Sequence, residues 1–167
     1  AARQLEAEGD FAGAADLYTQ MVLEQETPEL YWRLGNCQHA LGRFAPAARH
    51  YWSALSLRPD FPEATVNLAN TLIDLGKPPA AVAELKGLLT RYPTYPAALA
   101  ALGSAEFAQN NLAEAVEAFS AALKLRPDDP VTQLNLASLK IALGDAASVI
   151  DDLRGLARQW PNAPDVQ

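Results

Sequence analysis

Apolar side chains recur along this chain on two length scales. On the short scale, runs of about 14 residues place apolar groups at the i, i+3, i+4, i+7 spacing that collects them on one face of an α-helix. On the long scale the whole arrangement returns every 34 residues. One copy reads Leu34-Gly35, Gly42, Phe44, Ala47, Tyr51, Ala54-Leu55, Pro59. The next reads Leu68-Ala69, Gly76, Pro78, Ala81, Leu85, Leu88-Leu89, Pro93. The third reads Leu102-Gly103, Asn110, Leu112, Ala115, Phe119, Ala122-Leu123, Pro127. The fourth reads Leu136-Ala137, Gly144, Ala146, Val149, Leu153, Leu156-Ala157, Pro161. A partial copy, Gly9, Phe11, Ala14, Tyr18, Met21-Val22, precedes them at a spacing of 33, which places a missing residue between Glu24 and Thr27.

Each copy predicts two helices. Gly42, Gly76, Asn110 and Gly144 suit the left-handed backbone that closes a first helix. The second helix stops before Pro59, Pro93, Pro127 or Pro161, because proline lacks an amide hydrogen and disfavours helix in the residue before it. Pro46, Pro78 and Pro79 fall in the first turn of a second helix, where proline is tolerated. Gly35, Ala69, Gly103 and Ala137 let the two helices of a hairpin approach, and Tyr51, Leu85 and Phe119 fill the space. Such a hairpin is apolar on both broad sides and buries them by stacking on its neighbours. The expectation is an all-α solenoid over 1–167, with a partial repeat at 1–27, full repeats at 28–61, 62–95, 96–129 and 130–163, and the start of a further repeat or a tail at 164–167.

This pattern resembles the tetratricopeptide repeat family over nearly the whole chain. The resemblance implies a right-handed superhelix with the first helices on a concave inner face and the second helices outside. Pro78 and Ala146 stand where the family usually has an aromatic or large residue, and Val149 where it usually has alanine, which implies looser hairpins there. The inner groove it implies is lined by Glu29, Trp32, Arg33, Asn36 and His39 in the second copy, counting the partial one as first. The third copy offers Glu63, Val66, Asn67, Asn70, Ile73 and Asp74, and the fourth Ala97, Ala100, Ala101, Ser104, Phe107 and Ala108. The fifth offers Val131, Leu134, Asn135, Ser138 and Ile141. The groove is thus expected to be polar at one end and apolar at the other, to suit an amphipathic protein or peptide partner.

Three details of the groove bear on function. Asn36 and Asn70 hold equivalent places one repeat apart, as do Asn67 and Asn135 two repeats apart, and an amide that both donates and accepts suits a peptide backbone. The stretch from Phe61 to Asn70 is similar to repeats of the O-linked N-acetylglucosamine transferase superhelix, whose asparagine ladder grips extended substrates; Arg33 and Ala101 interrupt the ladder here. The alternative reading of these amides is that they are simply solvated or bond neighbouring helices. Tyr31 fills the buried family position beside Trp32, so Trp32 is expected to be partly exposed as an anchor, with packing across to the next repeat as the competing reading. Phe107 carries the same two readings. A chaperone-tail carboxylate clamp is not expected, because the places of its basic residues hold Glu63, Val66, Ala97 or Ala101.

Composition narrows the picture further. The 13 Lys and Arg against 20 Asp and Glu give a net charge of −7, which disfavours nucleic acid and anionic lipid as partners. No apolar run approaches the roughly 20 residues that span a bilayer. Cys37 is the sole cysteine and reads as a buried filler, and His39 and His50 lie eleven apart on different helices, so no zinc spacing exists. No phosphate-binding glycine loop or nucleophile elbow occurs. Asp128-Asp129 reads as a helix start and Asp151-Asp152 as a solvated face rather than an acid–base pair. The chain is expected to be no enzyme, to need no cofactor or metal, and to bind protein or peptide as a scaffold or adaptor. Two alternatives stay open: the substrate-recognition arm of a larger glycosyltransferase- or sulfotransferase-like enzyme, and a scaffold that self-assembles into a homo-oligomer through its terminal repeats. The start at Ala1 reads as a piece of a longer protein, and the Ala, Leu and Pro richness reads as bacterial. Compartment stays open, with the cytoplasm placed slightly ahead of the periplasm.

Overall fold

A computed structural model describes residues 1–144. These residues form nine helices and no strand: α1 (Ala2–Glu8), α2 (Phe11–Glu24), α3 (Pro28–Ala40), α4 (Phe44–Leu57), α5 (Pro62–Asp74), α6 (Pro78–Arg91), α7 (Pro96–Ala108), α8 (Leu112–Leu125) and α9 (Pro130–Ala142). The second helix of the last copy, with Ala146, Val149, Asp151-Asp152 and Pro161, lies outside the described residues.

The helix ends follow from the residues at them. Gly42, Gly76 and Asn110 adopt φ of 70°, 69° and 63°. Beyond each, an amide turns back to the helix: Arg43 to the Gln38 carbonyl at 2.8 Å, Lys77 to Leu72 at 2.8 Å and Asn111 to Glu106 at 2.9 Å. Orphan carbonyls of the last turn are thereby satisfied. Asp10, Thr27 and Asp129 cap helix starts by accepting from Gly13, Leu30 and Thr132 amides at 2.9, 3.2 and 3.3 Å. A second proline series, Pro28, Pro62, Pro96 and Pro130, opens the first helix of each copy at the position whose amide is unpaired in any case. Periodicity alone drew attention only to the prolines that end the preceding helix. The linker at 25–27 has three residues where 58–61, 92–95 and 126–129 have four, which accounts for the spacing of 33.

The helices pair as antiparallel hairpins, and each hairpin packs on the next. A Cβ added at Gly35 would lie 2.6 Å from Tyr51 Cε1, and one at Gly103 would lie 2.6 Å from Phe119 Cδ1, so both glycines are where an aromatic ring meets a helix backbone. The α5–α6 hairpin packs less closely than α3–α4 or α7–α8. It carries Ala69 in place of glycine, Leu85 in place of an aromatic, and Pro78 at the departure from the family pattern. One core cluster, including Tyr51, Leu68, Leu72, Leu85, Leu88 and Ala105, runs through the second, third and fourth copies. The first helices also approach one another, α5 packing on α7 and α3 touching α5, whereas no pair among α4, α6 and α8 approaches as closely. The stack therefore curves with α3, α5, α7 and α9 on its inner side.

Candidate binding groove

The inner face divides at α5. Between α3 and α5, Asn36 Oδ1 accepts from Tyr51 Oη at 2.8 Å and from Asn67 Nδ2 at 2.7 Å. Burial drives the Tyr51 phenol well above its ordinary pKa, so it stays a neutral donor. A shallow cavity of about 180 Å³ lies over this network and is lined by Asn36, His39, Asn67 and Asn70 among others. His39 Nε2 meets Asp74 Oδ2 at 2.9 Å, bridging α3 and α5, and its ring stands edge-on to Phe44 at 5.2 Å. Asn36, Asn67, His39 and Asp74 are thus engaged with one another across the repeat boundary.

Arg33 is engaged as well. Its Nη1 bonds Glu6 Oε2 of α1 at 3.0 Å, and the same oxygen accepts from Tyr18 Oη at 2.5 Å. Cys37, fully buried, lies beside this group with its Sγ 3.9 Å from Glu6 Oε1. Burial, reinforced by the Glu6 charge, pushes the Cys37 thiol up to about 11, and burial with the Glu6 bond pushes Tyr18 up to about 12. Glu6 is the polar residue that ties α1 to α2 and α3, and nothing in the repeat pattern singled it out. Next to it, a cleft of about 550 Å³ is bounded by Leu17, Met21, Leu30 and Arg33.

Trp32 does not stand free in the groove. Its ring packs on Phe61 at 5.7 Å, and its Nε1 is buried without a hydrogen-bond partner. Phe61 is 7% exposed and is covered on its other side by the Arg58 guanidinium at 3.6 Å, which also bonds Glu29 at 2.6 Å. The linker before α5 carries Phe61 back over α3, so Trp32 serves packing across the repeat boundary. Glu29, expected to face a partner, is held by Arg58.

Between α5, α7 and α9 the face is more open. A cavity of about 310 Å³ is lined by Val66 and Asn70 of α5, by Ala97, Ala100, Ala101 and Ser104 of α7, and by Val131 and Asn135 of α9. Val66 and Ala101 are buried, so they form floor rather than contact surface; small neighbours leave no side chain to lift them out. Ser104 Oγ turns back to its own helix at Ala100. Phe107, Val131, Leu134 and Ile141 are each more than half exposed. Asn70, Asn135 and Ser138 make no side-chain hydrogen bond among the described residues. Ile73 packs into the core instead of the groove. Exposed apolar side chains thus gather on α7 and α9, and of the unbonded amides Asn135 lies among them while Asn70 lines both cavities.

Two polar groups outside the expected set complete the inventory. Glu106, 4% exposed, accepts from Asn111 at 2.7 Å and pairs with Lys86 at 3.2 Å; the equivalent place one repeat earlier is Leu72, so periodicity carried no sign of it. Arg126 lines the 310 Å³ cavity and has no ion pair among the described residues. No cluster of three metal-ligating side chains exists among the described residues, and none of their helices is long and apolar enough to cross a membrane.

Comparison with known proteins agrees with this architecture. The tetratricopeptide repeat family model matches residues 1–65 and 66–130, and a second model of the same description matches 106–167. No curated protein matches the chain by sequence. Among solved structures, MamA 41-end from Desulfovibrio magneticus RS-1 superposes with a TM-score of 0.83 at 18% identity, over 98% of this chain and 93% of that one. A thermophilic repeat protein of Thermus thermophilus gives 0.81 at 21% identity, over 96% and 89%. The first repeat domain of Spaghetti (RPAP3), solved bound to the HSP90 peptide SRMEEVD, gives 0.66 at 23% identity, over 71% and 94%. At these identities the likeness is one of fold.

Proposed function

The chain belongs to the tetratricopeptide repeat family, a family of protein–protein interaction modules, and from that premise we propose that it binds an extended or helical segment of another protein along the inner face of α5, α7 and α9. One observation carries the reading. The polar side chains of the α3–α5 half are bonded to each other, whereas Asn70 and Asn135 flank an open cavity and make no side-chain hydrogen bond among the described residues. Amides without partners on a concave, partly apolar surface suit a peptide backbone, and the exposed Phe107, Val131 and Leu134 suit apolar side chains of the same ligand. A structural neighbour, the first repeat domain of Spaghetti, was solved bound to a peptide, which supports a peptide as the class of ligand.

The test is selection of binders from a displayed peptide library, followed by affinity measurement on the Asn70→Ala/Asn135→Ala double variant. Weaker binding with an unchanged circular dichroism spectrum is expected. Equal affinity for the variant, or peptides that map to the α4–α6–α8 side, would move the site elsewhere.

Homotypic assembly is a second reading with an observation of its own. Val131, Leu134, Ile141 and Leu143 expose half or more of their surface on and just after α9. Light scattering over a concentration series decides it: mass that rises with concentration supports assembly, and a constant monomer mass excludes it.

A further inference from the structure

Comparing equivalent places of the second and fourth copies shows what the cavity lacks. In the second copy Glu29 pairs with Arg58 at 2.6 Å, and Trp32 packs beneath Phe61. Sixty-eight residues on, two repeats of 34, Arg126 stands in the place of Arg58, Ala97 in that of Glu29 and Ala100 in that of Trp32. Ala97, Ala100 and Arg126 all line the 310 Å³ cavity. The cavity thus lies at a repeat site where the second copy holds an acid and an aromatic ring and the fourth holds two alanines, with an arginine in both. The other charged lining residue, Asp129, is occupied: its carboxylate accepts from the Thr132 amide and hydroxyl and caps α9. Glu63, whose charge reaches Tyr95 as that of Arg126 does, does not line the cavity.

We propose that this cavity takes one large apolar side chain of the bound segment, preferably aromatic, together with a carboxylate of the same segment that pairs with Arg126. The proposal rests on the groove reading above and names the ligand chemistry at one place in it. A volume of about 310 Å³ holds a phenylalanine or tryptophan side chain with room to spare, and the floor of Val66 and alanines offers only apolar contact. Asn70 and Asn135, on opposite walls, are placed for the backbone on either side of that anchor. In the second copy the acid and ring are three residues apart on one helix, about 5–6 Å between their Cβ atoms. An extended ligand spans the same distance with the two residues separated by one. The carboxylate is a side chain within the segment, so the site differs from a clamp for a chain terminus.

The experiment uses acetylated, amidated glycine-serine peptides that carry Asp-Gly-Phe at the centre, with Asn or Lys replacing Asp and Ala replacing Phe. Binding is followed by amide shifts in nitrogen-15 NMR spectra of the full chain, which read weak affinities and locate them. The Asp-Gly-Phe peptide is expected to shift the side-chain amides of Asn70 and Asn135. The Asn peptide binds about threefold more weakly, as for a partly exposed ion pair. Replacing Phe costs about tenfold or more. Arg126→Ala removes the Asp-over-Asn preference and keeps the dependence on Phe. Ala97→Glu restores the internal acid, pairs Arg126 as Glu29 pairs Arg58, and likewise removes the preference. Ala100→Trp fills the void and abolishes binding; Ala97→Glu, at an exposed first-turn position, serves as the conservative companion should that bulky change disturb the helix. Equal binding of the Asp and Lys peptides, or preferences untouched by Arg126→Ala and Ala97→Glu, overturns the proposal. If library-selected peptides still shift Asn70 and Asn135 in that event, the groove reading survives it. If no peptide shifts them, both fall.

Discussion

Replacing Gly103 by alanine adds one methyl group where α7 and α8 come closest, and the structure sets the size of the effect. The new Cβ would stand 2.6, 2.7 and 2.8 Å from Cδ1, Cε1 and Cγ of Phe119. Ordinary carbon contact begins near ~3.5 Å, so the ring has to retreat by about 1 Å. Phe119 is buried and cannot swing into solvent. Overpacking of this kind costs about 1–3 kcal/mol, against about 1 kcal/mol gained by alanine over glycine inside a helix. The expected net is a loss of about 0–2 kcal/mol. Gly87 is the internal control: also helical, it has nothing within 4 Å of an added Cβ, so Gly87→Ala is expected to stabilise by about 0.5–1 kcal/mol. The third copy suggests the rescue, since it pairs Ala69 with Leu85. In a Phe119→Leu background, Gly103→Ala is expected to recover most of the gain seen at Gly87, a coupling of about 1–3 kcal/mol. Urea denaturation of the four combinations, with circular dichroism and tyrosine-tryptophan fluorescence read together, measures this and shows whether the stack unfolds as one unit. The reasoning is refuted if Gly103→Ala stabilises as much as Gly87→Ala, or if the coupling with Phe119→Leu is zero.

Other expectations follow from the hydrogen-bond network and the buried acids. Asn36→Ala strands the Tyr51 hydroxyl and the Asn67 amide and is expected to cost about 1–3 kcal/mol, while Asn70→Ala, exposed and unbonded, stays within about 0.5 kcal/mol; parallel urea melts check the contrast. Cys37 is raised from 9.0 to about 11 and Tyr18 from 10.0 to about 12, so both stay neutral in the folded chain where the unfolded chain ionises. Their contribution is full below about pH 9 and is lost as pH rises through 9 to 11 for the thiol and 10 to 12 for the phenol; melting temperature against pH should fall there, and Cys37→Ala should flatten the first part of the fall. Glu6→Ala leaves Arg33 and the Tyr18 hydroxyl without their acceptor, and hydrogen exchange should show protection lost in α1 but kept in α5 and α7, because a stacked array transmits stability chiefly between neighbours.

The fold was legible in the sequence because its signals repeat. A single glycine after an apolar run is weak, but Gly42, Gly76 and Asn110 at one phase are not, and all three take the left-handed conformation their residue types permit. The shortened linker at 25–27 showed itself as a break in phase. Periodicity proposed groove positions but not which of their side chains are free: Val66 and Ala101 are buried and Ile73 packs on the core. Periodicity says which way a residue points; it does not say whether a partner stands opposite. Asn36 and Asn67 are 31 residues apart, as are Asp60 and Arg91, while His39 and Asp74 are 35 apart. These separations are one repeat less or more a fraction of a helical turn, so they depend on how far each hairpin rotates on the last. That rotation is a property of the stack and is encoded by no single copy. Trp32 shows the same limit: its apolar character was plain, but the Phe61 that covers it arrives from a linker 29 residues away.

What a repeat does supply, once the pairs are known, is a reference for what is absent. An isolated Arg126 in an acidic protein carries little meaning, since exposed cations are common and most contribute little. Set against Arg58, which has its Glu29, it is a cation at an equivalent place in the fold with alanine where the second copy has the acid. The same subtraction applied to Trp32 and Ala100 yields a cavity beside that cation rather than elsewhere on the surface. Ala97 is exposed and Ala100 only partly buried, so alanine at these two places leaves the core packing intact while opening the space beside the cation. On the proposed reading the α5–α7–α9 face carries the specificity of this chain, while the α3–α5 side chains bond one another across the repeat boundary.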